Sequence, residues 1–147
     1  MKQVDIATIC DVKDGKKLVK VDLYGRVSDW IPYAGVANKF VKVWSPPAIG
    51  EQVIVLFPYG DLNGGVVITS IFNEDCKEPI DANSQNFIIS FANGTELKVE
   101  NGDFIFKGNI KANGTISSSG DISTAGKIND NKGDLTNFTT TNGGKRA

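Results

Sequence analysis

The sequence predicts an all-β protein built from two architectures, and three observations carry that prediction. No stretch sustains a helical apolar period. Short β-rich runs are punctuated by Gly, Asn and Asp turns, and after Gly102 glycine and isoleucine recur every six residues. All five prolines precede residue 80, whereas nine of the sixteen glycines lie between Gly94 and Gly144, so the packing logic changes along the chain. Charge does not mark the change, since the formal net charge is only −1 and the two halves are balanced.

The first part reads as strands with turn punctuation. Val4 to Val12 and Leu18 to Leu23 are β-rich and partly alternating, separated by Asp14-Gly15, and the Lys13–Lys17 run is an exposed hairpin loop rather than a phosphate site. Gln52 to Phe57 and Val66 to Phe72 follow, with Tyr59-Gly60-Asp61 and Asn63-Gly64-Gly65 between them. About five strands in some 75 residues suit a small closed barrel, which removes exposed sheet edges. An OB-type barrel is the leading expectation and an SH3-like barrel the second. Barrels of the first kind often stack single-stranded bases on aromatics. Tyr24, Trp30, Tyr33, Trp44 and Tyr59 are open to that reading, but the charges around them are balanced, so core and interface packing is preferred.

From Phe87 to Gly108 the strands are almost spelled out. Phe87–Ala92, Thr95–Glu100 and Asp103–Gly108 are joined by Asn93-Gly94 and Asn101-Gly102, and Asn-Gly is the strongest short hairpin signal because both turn residues need positive φ. Leu97 and Val99 share one face of the middle strand while Glu96, Lys98 and Glu100 share the other. A three-stranded antiparallel meander with one wet face follows.

The units GNIKAN, GTISSS, GDISTA and GKINDN then share the form G-x-I-x-x-x. Even positions from 108 to 128 hold only Gly, Ile, Ala, Ser or Thr, and odd positions are polar apart from Ala125. A single-chain triangular coil needs about three such units per turn and several stacked turns to bury anything. Four units fall short of that, and the segment has too little apolar volume to offset its own ordering entropy. Three chains wound together supply the three sides at once, with Ile110, Ile116, Ile122 and Ile128, preceded by Phe104 and Phe106, on a common axis. The expected organisation is a barrel over 1–75, a linker over 76–86, a meander over 87–107, a triple-stranded β-helix or β-prism over 108–131 and a tip over 132–147. A disordered polar tail is the competing reading of the last part, and composition alone favours it.

Composition also removes whole classes of chemistry. With no histidine there is no Ser–His hydrolase, histidine base or imidazole zinc site, and two cysteines cannot form a four-thiolate site. Glu74, Asp75 and Glu78 around Cys76 offer carboxylates, which glycoside hydrolysis would need about 5–10 Å apart across a cleft; they read as solvated linker charges. Cys10 and Cys76 are expected to be free and buried. The N-terminus has Asp5 where a signal peptide would have its apolar core, and no apolar run approaches a membrane span, so a soluble, non-secreted protein is expected.

From Val27 to Asp75 the chain resembles the baseplate assembly protein V family, the central spike of contractile phage tails. The resemblance rests on Asp29-Trp30-Ile31-Pro32-Tyr33-Ala34-Gly35, on Ser45-Pro46-Pro47-Ala48-Ile49-Gly50-Glu51-Gln52-Val53, on Pro58-Tyr59-Gly60-Asp61-Leu62, and on Gly65-Val66-Val67-Ile68 running to Asp75. Pro46-Pro47 forces extended backbone without ladder donors, Gly50 turns the chain, and Gly60-Asp61 and Gly64-Gly65 supply the next reversal, so these residues read as fold determinants. The resemblance implies a homotrimer acting mechanically, and with the composition and charge no catalysis, cofactor or nucleic-acid partner is expected. It would dock on a separate trimeric hub protein and make transient contact with the host envelope, which it pierces when the sheath contracts. It also implies assembly in the host cytoplasm and a place at the baseplate tip of a virion, tailocin or related secretion machine. Many members end in a His-x-His apex that holds iron; a chain without histidine lacks it. A blunt tip or a separate cap of the PAAR-repeat kind is then expected. The readings from other classes are an OB nucleic-acid-binding protein with a flexible tail and a cell-wall hydrolase.

Overall fold

The computed structural model describes residues 3–130, 133 and 134, and divides at Lys107 into two compact units. No α-helix occurs among the described residues, and none is long and apolar enough to cross a membrane.

The first unit opens with β1 (Val4–Val12) and β2 (Leu18–Leu23), an antiparallel pair joined by a loop in which Gly15 has φ 64°. In β2 burial alternates residue by residue, so Val19, Val21 and Leu23 point inward. β1 carries a bulge at Cys10, which lets Ile9 face Val21 while Asp11 faces Lys20. β3 (Arg26–Val27) and β4 (Ile31–Pro32) both pair with β2. Between them lies Ser28, the buried polar residue of the barrel. Its Oγ accepts the Val21 N–H at 3.0 Å and donates to the Asp29 carbonyl at 2.8 Å, so no buried donor is left open there.

β5 (Gln52–Leu56) lies on the far side of β1, and β6 (Val66–Ser70) lies beyond β5. Closure comes from the residue after β4. Tyr33 forms a parallel bridge with Val67, and the Ala34 N–H reaches the Val67 carbonyl at 2.8 Å. The path β2-β1-β5-β6 therefore returns to β2 through β4, the closed OB arrangement with its third strand broken into β3 and β4. Phe57 is the largest fully buried side chain, packed among Ile9, Ile31, Val19, Val21, Val53, Val55 and Val67. Gly65 sits against it: a Cβ there would come within 3.1 Å of the Phe57 ring and 3.2 Å of the Leu62 carbonyl, so the tight turn and the core ring are one packing unit.

After the barrel come β7 (Phe87–Ser90), β8 (Glu96–Glu100) and β9 (Asp103–Lys107), the expected meander. Its register sets Phe87, Val99 and Phe104 in one row and Ile89, Leu97 and Phe106 in the next, all on one face. The two turns differ. Asn101 and Gly102 both take positive φ, at 52° and 88°, whereas in the first loop only Gly94 does. There the Asn93 carboxamide oxygen accepts the Thr95 N–H and hydroxyl at 3.0 and 2.7 Å, and this local pairing holds a longer loop.

The face expected to be wet is mixed, because Ile88 and Ile105 flank Lys98. The Lys98 ammonium lies 3.2 Å from Glu100 and, with a second hydrogen bond from Asn86, holds the Glu100 carboxyl below the ordinary glutamate range. The small stabilisation this implies is present above the ordinary glutamate value and is lost as pH falls through the depressed folded one. In an NMR titration Glu100 is expected to protonate below a free glutamate, and Lys98→Met to move its midpoint back up.

In the second unit, residues 108–128 are irregular, with bends at Gly108, Asn113-Gly114, Ser119-Gly120 and Ala125-Gly126, and they belong to no strand ladder among the described residues. β10 (Asn129–Asp130) pairs with β11 (Gly133–Asp134) in a short hairpin. The expected tip beyond Asp134 lies outside the described residues.

Candidate functional site

The motif residues gather at the seam where the barrel closes and in the loops around it. Gly50, at φ 92°, donates its N–H to the Ile9 carbonyl at 2.8 Å, and Ile9 donates to the Glu51 carbonyl at 2.9 Å, so the turn runs directly into the β1–β5 ladder. Glu51 then uses both carboxylate oxygens. One accepts the Ala48 N–H at 3.0 Å, pinning the loop behind Pro46-Pro47, and the other accepts the Ser70 hydroxyl at 2.6 Å. Ser70 is hydrogen-bonded in turn to the Tyr33 hydroxyl. A polar chain thus runs across the seam from the proline loop through β6 to the residue that closes the barrel. Gln52 begins β5, where it pairs with Thr8 and its carbonyl accepts the Ile71 N–H.

The second group of motif residues holds the opposite reversal. Tyr59 and Gly60 both adopt left-handed φ, 60° and 72°, in the turn at Pro58–Gly60. Asp61 accepts the Asn63 N–H at 3.0 Å, and the Asn63 carboxamide reaches across to accept the Asp29 N–H at 2.9 Å. That contact ties the glycine loop to the segment leading into β4. Both halves of the motif therefore act on closure, and Glu51→Ala is expected to cost about 1–3 kcal/mol, read as a lower melting temperature of the barrel.

Of the five aromatics expected in the core or at an interface, four are not core residues, which corrects the core half of that expectation. Tyr24, Tyr59 and Trp44 are exposed, Trp30 is at the margin of exposure, and Tyr33 alone of the five packs against the core. Core volume comes from aliphatic residues, mostly β-branched, and Phe57, and a barrel this small has no room for five larger rings. Instead lysines lie over several rings. Lys20 and Lys13 sit 4.8 and 5.8 Å from the Trp30 ring, and Lys17 sits 4.6 Å from Tyr33 and 5.6 Å from Trp44. The cysteines need a second correction. Both are free as expected, but Cys76 is exposed and Cys10 half-buried, because the bulge swings Cys10 out of the inward row.

Two features were not legible as sites. Residues 36–43 form a hairpin with a bridge between Ala37 and Lys42, and the Asn38 carboxamide oxygen caps its turn by accepting the Phe40 and Val41 N–H groups at 2.9 and 2.8 Å. The signal was present as valines at 36, 41 and 43 around an Asn-Lys pair, without the glycine that marks most turns. The other is a cleft of about 930 Å³ lined by Gly50, Gln52, Phe72 and the acidic linker residues Glu74, Asp75 and Glu78.

Residues 5–72 match the family model described as the type VI secretion system/phage-baseplate injector OB domain. The barrel belongs to this injector family. The match spans the whole closed sheet, from β1 through the seam to the end of β6. It associates the chain with a phage baseplate or secretion-system injector, as a structural component of that machine. No curated protein matches the chain. Among the described residues no cluster of acidic or sulfur side chains is arranged to hold a metal ion.

Proposed function

We propose that the chain is the central spike of a contractile injection machine, acting as a homotrimer that pierces the target envelope mechanically and carries no catalytic centre or cofactor. The observation that carries this reading is the unburied apolar row after the injector OB domain. Ile110, Ile116 and Ile122 are 66, 71 and 68% exposed in the single chain, on a backbone that bends at each glycine and joins no ladder among the described residues. The apolar face of the meander is in the same condition, with Phe87, Phe104 and Phe106 exposed in adjacent rows. A six-residue phase that places one isoleucine per unit on one side, with Ile110, Ile116 and Ile122 left exposed among the described residues, is what a three-chain prism requires. Interchain ladders would also satisfy backbone groups along residues 108–126.

In this reading the injector OB domain docks on a separate trimeric hub and the repeat segment is the stalk. Stiffness comes from backbone hydrogen bonds around a closed trimer, which has no free sheet edge to unzip under load. A small cap at the tip takes the place of an iron-bound apex. A nucleic-acid-binding barrel with a loose tail is the contrasting reading. The test is complementation of a machine lacking this chain. The wild-type chain should restore envelope breaching, and a variant that cannot trimerise should give particles that lack the central density and leave envelopes intact. Envelope breaching restored by the non-trimerising variant would refute the proposal.

A further inference from the structure

We infer that the 36–43 hairpin of one copy seats Phe40 in the acidic cleft of the next copy, so that three barrels close into a ring; this rests on the homotrimer reading. Phe40 is 99% exposed, yet its backbone is held by the Asn38 cap and by the Val43 N–H to the Val36 carbonyl at 2.9 Å. An aromatic ring fixed in water at the end of a built hairpin has the form of an anchor residue. Lys39 and Lys42 flank it, and neither forms an ion pair among the described residues.

The cleft has the opposite character. Phe72, itself 60% exposed, supplies an apolar wall, and Glu74, Asp75 and Glu78 against Lys77 leave two net negative charges to face the two lysines. Its volume of about 930 Å³ admits a phenyl ring with the stems of both lysines. A cyclic trimer needs two different, complementary surfaces on each copy, since a head-to-tail contact is what closes a threefold ring. Hairpin and cleft are such a pair, and both belong to the same compact unit.

Cys76 is exposed and follows Asp75 in the chain, beside the acidic cleft and not in its wall, and is a native reporter for this contact. In the full chain carrying Val41→Cys, mild oxidation with diamide should give covalent dimers and trimers on a non-reducing gel, and adding Cys76→Ser should remove them. Lys39→Glu with Lys42→Glu should cut the crosslink yield by roughly tenfold or more, and Asp75→Lys with Glu78→Lys should restore it. Sedimentation of each reduced variant reports whether the trimer itself persists. A solution trimer without interchain links, links indifferent to charge reversal, or a link mapped within one chain would overturn the contact and leave the homotrimer standing. A monomeric mass of the parent chain would overturn both.

Discussion

Ile116→Asp is expected to abolish the trimeric stalk. In the proposed prism three copies of residue 116 would meet on one axis, so the substitution would place three carboxylates together without a paired cation. Each unpaired buried charge costs several kcal/mol, and mutual repulsion adds to it. The neighbouring rings of Ile110 and Ile122 cannot absorb that cost, because each layer of the stalk contributes only one apolar side chain per copy. Sedimentation should therefore show the variant as a monomer at micromolar concentration, with its residues after Gly108 cleaved by protease. Ser117→Asp, one position along on the polar side of the alternation, should leave the trimer in place. A trimer that survives Ile116→Asp would mean that the isoleucines do not form its axis.

The second large effect falls on the barrel. Phe57→Ala removes the largest fully buried side chain, and its neighbours Val53, Val55 and Val67 are short β-branched residues on paired strands that cannot swing in to fill the space. Truncations of this kind cost about 3–5 kcal/mol, a large share of the roughly 5–15 kcal/mol that holds a domain folded. On the first unfolding transition that corresponds to a fall of about 12 °C or more. Because Gly65 packs on the same ring, the loss should also loosen the turn that delivers β6 to the seam. Phe57→Leu should recover much of it.

The barrel's strands were readable where burial alternates. Val19, Val21 and Leu23 follow one another at period two, and so do Val53, Val55 and Phe57, each row facing the core. What the pattern does not carry is closure. The bridge between Tyr33 and Val67 joins residues far apart in the chain, and the choice of which strands meet depends on the Cys10 bulge and the broken third strand. The polar chain from Glu51 through Ser70 to Tyr33 escaped notice for the same reason, since its members lie in three separate segments. Exposed aromatics misled in the other direction: Trp44 and Tyr59 look like core volume by residue type, yet the core was already filled by smaller side chains and one phenylalanine.

The repeat is the opposite case. Its phase is plain in the sequence because every unit carries the same glycine and isoleucine, and no partner strand meets residues 108–126 among the described residues. In the proposed reading those residues fold only in company, so the number of chains in solution decides it. Sedimentation equilibrium on the full chain, at low and high salt, measures this directly. A homotrimer should give one species of about three times 15.8 kDa, unchanged by salt and resistant to protease after Gly108. A clean 15.8 kDa monomer with a protease-labile segment after Gly108 would contradict it.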